Sequence, residues 1–213
     1  MKYKAVIWDF GGVITDSPFD AFNTLENSLN LPLNTIRKIN STNPDKNAWA
    51  LLERGKINIE TFIDAFRIEA NSFGASSLDP LDVLKCLNGK IRPDMELAVK
   101  KISNKMKSAC ITNNIEGLDN WISDYKKLKI EKLMSNFDFV LESKKIGIRK
   151  PDKEIYQFAI DKLNVKANQT IFLDDLGINL KPAKNMGIKT IKVIDSKNAI
   201  NELEKLVGFC LKY

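Results

Sequence analysis

The first apolar run, Tyr3 to Trp8, is short and nearly unbroken, the pattern of a strand buried on both faces. It stops at Asp9, and Phe10-Gly11-Gly12 begins a turn. From Ser17 to about Ile91 the spacing becomes that of amphipathic helices, with no convincing strand. Ser17-Pro18 is an N-cap followed by proline at the first helical position, and Phe19, Phe22, Leu25 and Leu29 fall near one face. Asn58 caps a second helix carrying Ile59, Phe62, Ile63 and Phe66, and Asp79-Pro80 opens a third with Leu81, Leu84 and Leu87. After Arg92-Pro93 helix and strand alternate. The pattern predicts a helix near Asp94 to Ser103, a strand near Ser108 to Ile111, a helix near Glu116 to Lys127 and a short strand from Phe137 to Val140. A helix over Lys153 to Leu163 follows, burying Ile155, Phe158, Ala159 and Leu163. Then come a strand over Thr170 to Leu173, a helix near Asn179 to Met186 closed by Gly187, a strand over Lys189 to Ile194 and a helix from about Asn198.

Strands alternating with helices imply an α/β fold with a parallel sheet and helices on both faces. The helical block is then an insertion, a cap over the strand ends. The expected division is a core of residues 1–16 and 92–213 and a cap of residues 17–91. A chain of 213 residues with 44% hydrophobic content suits one sizeable core, or a core and a smaller insert.

Composition narrows the chemistry. There is no histidine, which excludes a Ser-His-Asp triad, a Cys-His dyad and histidine-ligated zinc. Carboxylates favour oxygen-ligated ions such as Mg²⁺. Cys86, Cys110 and Cys210 stand in no metal-ligand spacing and read as free thiols of a cytoplasmic protein. No apolar run is long enough to span a membrane, and the short apolar stretch before Asp9 is not a signal peptide. The net charge of +6 reads as a lysine-rich solvated surface that can also favour anionic ligands. No aromatic-interleaved basic stripe accompanies it, so no nucleic-acid partner is expected.

Four short segments fall at strand ends or nearby loops: Asp9, Thr112-Asn113-Asn114, Arg149-Lys150-Pro151-Asp152, and Asp174-Asp175. Each has a plainer reading, as a turn, a solvated helix start or an N-cap pair. In a parallel sheet, however, the carboxyl ends converge. A site there would hold three carboxylates, one lysine and a hydroxyl.

The order and types of these residues resemble the haloacid dehalogenase-like superfamily of Rossmann-type hydrolases over essentially the whole chain. The resemblance is closest to the phosphatase-like domains of soluble epoxide hydrolases and of acyl-CoA dehydrogenase fusion proteins. It rests most on Gly147-Ile148-Arg149-Lys150-Pro151-Asp152-Lys153-Glu154-Ile155-Tyr156 and on the segment from Ile171 to Ala183 around Asp174-Asp175. It implies a Rossmann-like core with an inserted α-helical cap, and a Mg²⁺-dependent hydrolase of small phosphorylated metabolites. Asp9 would be the nucleophile that forms an aspartyl-phosphate. Thr112 and the backbone N–H of Asn113 would hold phosphate oxygens, and Lys150 would offset negative charge. Asp9, the Gly11 carbonyl, Asp174 and Asp175 would hold the metal, with Asp175 the direct ligand and Asp174 helping directly or through water.

Gly11 departs from the family pattern, which usually has an acid/base aspartate there. The resemblance therefore implies a phosphatase biased toward good leaving groups, since a positioned acid contributes about 10²–10⁴-fold. Asp16 and Thr15 lie close downstream as substitutes. A 2-haloacid dehalogenase is the enzymatic alternative, because a departing halide needs no proton, but two adjacent carboxylates without metal would oppose both its substrate and its leaving halide. A catalytically silent phosphate-binding protein is the third. In the cap, Leu51 and Leu52 are expected in the core, and Arg54-Gly55 reads as a helix end, either capping the helix or facing the substrate. Trp121 and Tyr125 are expected to pack on a core helix.

Overall fold

The computed structural model describes residues 2–117 and 121–212. Five parallel strands form one sheet in the order β3-β2-β1-β4-β5: β1 (Ala5–Trp8), β2 (Lys107–Thr112), β3 (Phe139–Glu142), β4 (Thr170–Asp174) and β5 (Lys189–Lys192). Ala5, Val6, Ile7 and Trp8 are fully buried, as a central strand covered on both faces must be. Their side chains alternate between two cores. Val6 and Trp8 join the cluster beneath α6 (Pro93–Ser103) and α11 (Ser196–Val207), which includes Met95, Val99, Ile200 and Leu203. Ala5 and Ile7 join the other, beneath α9 (Lys153–Leu163) and α10 (Gly177–Asn185), which includes Ile155, Tyr156, Phe172 and Leu180. The expected α/β architecture is therefore present, with helices on both faces of a parallel sheet.

The strand order reverses at β1. Its neighbours are β2 on one side and β4 on the other, and Trp8 pairs with Cys110 and with Leu173. Open parallel sheets have their crevice at such a point, outside the carboxyl ends of the strands.

Five helices are inserted between β1 and α6: α1 (Pro18–Ser28), α2 (Thr35–Ser41), α3 (Ala48–Glu53), α4 (Ile59–Ser72) and α5 (Pro80–Lys85). Ser17, Asn58 and Asp79 cap α1, α4 and α5 through their side chains, as the sequence predicts. Helices α2 and α3 are too short to show a period, though α3 ends at Arg54 as the sequence predicts. The block has its own apolar cluster, in which Phe22, Trp49, Phe62 and Phe66 form an aromatic chain with centroid separations of 6.1, 6.0 and 5.2 Å. Leu52 lies in this core as expected, whereas Leu51 is only half-buried. The entering and leaving chains meet at a Thr15–Ile91 antiparallel bridge, flanked by hydrogen bonds from Asp16 N to Lys90 O and from Arg92 N to Ile14 O, both 2.9 Å.

Several expectations shift. The helix expected near Glu116 to Lys127 is α7 (Asp124–Met134), capped by Ser123; residues 118–120 of the expected span lie outside the described residues. Trp121 precedes this helix and packs against the inserted cluster, while Tyr125 is 78% exposed and packs in no core. Strand β3 begins at Phe139, and Asp138 just before it accepts from Ser108 N–H on β2 at 2.7 Å. On α9 Tyr156, not Phe158, is the buried aromatic; Tyr156 packs edge-on against Phe172 and Phe158 is 47% exposed. A single-turn helix, α8 (Ser143–Ile146), follows β3 and is too short for the sequence pattern to show.

Candidate active site

Asp9 is the residue after β1, Thr112 the last of β2 and Asp174 the last of β4, so the sheet brings them to one end of three adjacent strands. Asp9 N donates to Leu173 O at 2.9 Å, which fixes Asp9 beside Asp174. Lys150 arrives from the loop before α9 and is almost fully buried. Its Nζ lies 2.6 Å from Asp9 Oδ1 and 2.8 Å from Asp174 Oδ2. The plain reading of Lys150 as a solvated helix start is thereby overturned.

Asp174 is the most constrained of the carboxylates. Its Oδ1 accepts from Leu176 N at 2.8 Å, and Asn179 Nδ2 reaches both oxygens, at 3.0 and 3.1 Å. Asn179 lies on the first turn of α10, one helical turn beyond the strand end, where it can reach back. Asp175 makes no hydrogen bond or ion pair to another residue among the described residues. It rests against the Gly12 backbone, where a Cβ would lie 2.2 Å from Asp175 Oδ2. Gly12 also has a φ of +76°, so the turn and the close approach both require glycine. Gly11 differs: beyond its chain neighbours, no atom among the described residues lies within 4 Å of where its Cβ would be.

One oxygen from each of Asp9, Asp174 and Asp175 lies within 4.8 Å of the others. Three carboxylates and one lysine leave two negative charges in excess. Burial pushes the Asp9 carboxyl well above its ordinary range; Lys150 opposes this, and Asp174 and Asp175 reinforce it. Burial, with Asp174 next, raises the Asp175 carboxyl to about 6. Burial alone would lower the Lys150 ammonium, but Asp174 and Asp9 more than offset it, and the lysine stays charged. The donor set is all oxygen, its excess charge matches one divalent cation, and Asp175 is the carboxylate that no other side chain among the described residues engages. Those features fit Mg²⁺.

The second strand end is tied to the lysine loop. Asn113 Oδ1 accepts from Lys150 N at 2.9 Å and Asn113 Nδ2 donates to Lys150 O at 2.9 Å. Asn114 N donates to Ser143 Oγ at 3.1 Å, and Asn114 Nδ2 to Glu142 Oε1 at 2.7 Å. The Thr112-Asn113-Asn114 segment is thus a scaffold for the site, with Thr112 itself buried. Asp16 faces the linkers and pairs with Arg92 at 3.8 Å with its side chain more than half exposed, and Thr15 Oγ1 is directed to the Asp16 carbonyl at 3.2 Å. Neither contact places a substitute acid at Gly11. Burial pushes the Cys86 thiol up to about 11 and raises Cys110 further, so neither is a ready thiolate.

Two contributors escaped the sequence reading: Asn179 and Glu53. Asn179 had a local signal, five residues after Asp174 at a helix start. Glu53 had none, because it reaches the site from the inserted helices.

The model of the haloacid dehalogenase-like hydrolases matches residues 3–187. The chain belongs to that family. It is 35% identical over 215 residues to acyl-CoA dehydrogenase family member 10 of Mus musculus, covering 99% of this chain and 20% of that protein. It is 30% identical over 224 residues to bifunctional epoxide hydrolase 2 of Mus musculus, covering 98% of this chain and 39% of that protein. The chain thus spans well under half of these two relatives. A sesquiterpene phosphatase, astK, of Aspergillus oryzae is 28% identical over 210 residues, with 97% of each chain covered. Among solved structures, a HAD family enzyme from Bacteroides thetaiotaomicron in complex with magnesium and inorganic phosphate shares the fold at a TM-score of 0.59 and 21% identity, covering 89% of this chain and 93% of that one. The chain is a hydrolase of this family with phosphatases among its relatives.

Proposed function

We propose that this chain is a Mg²⁺-dependent phosphatase of small phosphate monoesters that works through an aspartyl-phosphate and favours good leaving groups. The observation that carries this is the buried Lys150 bridging Asp9 and Asp174 at a three-carboxylate strand-end crevice. The phosphatase relative and the neighbour holding magnesium and phosphate support the same reading. Residues 1–16 and 92–213 are taken as the core and residues 17–91 as the cap, a division supported by an apolar cluster built mostly from the inserted helices, with Ile115 and Trp121 of the core packing onto it. Free cysteines suit a cytoplasmic setting, and no helix among the described residues is long and apolar enough to cross a membrane.

Asp9, the Gly11 carbonyl, Asp174 and Asp175 are the groups that would hold the ion. Mg²⁺, when bound, would neutralise the excess carboxylate charge and polarise phosphoryl oxygens. Thr112 and the Asn113 N–H receive phosphoryl oxygens, and Lys150 offsets charge on Asp9 and on the transferring group. An Asp9 oxygen bonds to phosphorus as the ester oxygen leaves with the bonding pair. Water then attacks phosphorus, releasing phosphate and restoring Asp9. With glycine at position 11 no side chain there supplies a proton, so leaving groups that depart as stable anions react fastest.

The test is turnover of an aryl and a simple alkyl phosphate with Mg²⁺. The aryl ester should react about 10²-fold faster or more, because no acid at position 11 compresses its intrinsic leaving-group advantage. Asp9→Asn should fall to background on both, and equal turnover of the two esters would contradict the leaving-group argument. Gly11 also suits the dehalogenase reading, because halide departs without a proton. Release of halide from a 2-haloacid without added metal would favour that chemistry instead.

A further inference from the structure

Glu53 ends α3, on the inserted helices, yet its side chain is buried among core residues. Its Oε1 accepts from Trp49 Nε1 at 2.9 Å. Its Oε2 accepts from Asn113 Nδ2 at 3.3 Å and forms an ion pair with Arg149, whose Nε lies 3.0 Å away. Those two donors are the groups that hold the Lys150 backbone. Asn113 takes both the N–H and the C=O of Lys150, each at 2.9 Å, and Arg149 Nε also reaches Lys150 O at 3.1 Å.

The helix end is seated as well as the carboxylate. Ser143 Oγ donates to Glu53 O at 2.6 Å, and Arg54 Nη2 lies 3.4 Å from Asp152 Oδ2. Gly55, at φ +63°, brings the chain so near α8 that a Cβ would lie 3.0 Å from the Lys144 carbonyl.

We propose that Glu53 is a positioning residue: its carboxylate joins the seated inserted helices to the Asn113–Arg149 clamp and so holds Lys150 in register with Asp9 and Asp174. The role rests on the phosphatase reading above. It is not an acid/base role. Both oxygens accept from protein donors and a guanidinium stands 3.0 Å from one of them, so neither oxygen is free to face a reacting group. Burial raises its carboxyl above the usual range while Arg149 opposes that rise. An unpaired Glu53 would thus be costly, which makes its charge contingent on the inserted helices being seated.

The mechanical consequence follows from geometry. Lys150 Nζ must meet two carboxylates at once, and displacement of a catalytic group by about 1 Å can cost about 10²-fold in rate. Were the inserted helices displaced, Glu53 would leave with them, the Asn113 amide would lose an acceptor and the Arg149 guanidinium its counter-charge.

Glu53→Gln is the informative variant. It preserves shape but presents an amide NH₂ to Arg149 Nε or Trp49 Nε1, each of which is a donor. With an aryl phosphate and Mg²⁺, kcat should fall about 10- to 100-fold while KM stays within about threefold. Glu53→Asp, which keeps the charge on a shorter stem, should recover part of that loss. Amide hydrogen exchange of metal-free protein supplies a readout without turnover. Exchange over residues 112–114 and 147–152, including the Lys150 N–H held by Asn113, should accelerate in Glu53→Gln, with α4 and β4 unchanged. Unaltered exchange in those segments overturns the inference, as does an unaltered kcat in an active enzyme. A kcat loss that only tracks a global rise in exchange overturns it too, since that marks a folding defect. If wild type hydrolyses no phosphate ester, the phosphatase reading fails, and the exchange result alone decides the positioning role.

Discussion

Two adjacent glycines have opposite physical status. Gly12 is required twice, by its φ of +76° and by the Asp175 carboxylate pressed against its backbone. Gly11 is required by neither: its φ is outside the left-handed region and the space around its Cβ is open. A side chain at position 11 therefore has room. Gly11→Asp should raise kcat/KM for a simple alkyl phosphate by at least about tenfold, the low side of what a positioned acid contributes, and change an aryl phosphate much less. Steady-state kinetics on the two esters checks this. No selective gain for the alkyl ester would sink the idea that the missing proton sets the bias. Asp174 and Asp175 show the same contrast in a neighbouring pair. The first is engaged by Lys150, Asn179 and a backbone N–H, and the second is left to face the crevice. Nothing in two consecutive identical letters distinguishes them; the strand direction and the turn into α10 do.

Among the elements, local chemistry was most legible where a cap and a period agreed. Helix α9 runs over Lys153–Leu163 as the spacing predicts, and Ser17, Asn58 and Asp79 each bond to the backbone they were expected to cap. Legibility failed where the deciding partner lay elsewhere. Phe158 matches the helical period from Ile155 but points outward, because Tyr156 takes the place against Phe172 and donates its hydroxyl to Asn179 O at 2.8 Å. Helices α2 and α3 are too short to declare a period, and the inserted cluster defines them by packing. Phe62, fully buried in that cluster between Trp49 and Phe66, is the element-scale test. Phe62→Ala should cost about 3–5 kcal/mol of stability, measured by urea denaturation. A cost below about 1 kcal/mol would show that the inserted helices collapse around the gap and are not held by the aromatic chain.

For the whole molecule, the dominant feature is electrostatic: one buried lysine faces three carboxylates at the point where the strand order reverses. The metal-free fold bears that repulsion, so Mg²⁺ should stabilise it. At about 100 times Kd the linkage is worth about 2.7 kcal/mol, a rise in Tm that a chelator reverses. Asp175→Asn should remove most of the rise, and an undiminished rise in that variant would place the ion elsewhere. The amino-acid sequence by itself determined the residue types at the strand ends, the alternation that makes the sheet parallel, and the helical block after β1. These follow from local rules: burial on both faces of a strand, the helical period and the chemistry of caps and turns. Only the tertiary structure decided which residues touch. Glu53 lies 60 positions before Asn113 and 96 before Arg149, yet accepts a hydrogen bond from the first and forms an ion pair with the second. No periodicity spans such separations, because the contact is made by the way the inserted helices seat on the sheet. The same holds for Lys150, whose role depends on a loop closing over two strand ends that the chain reaches far apart in order.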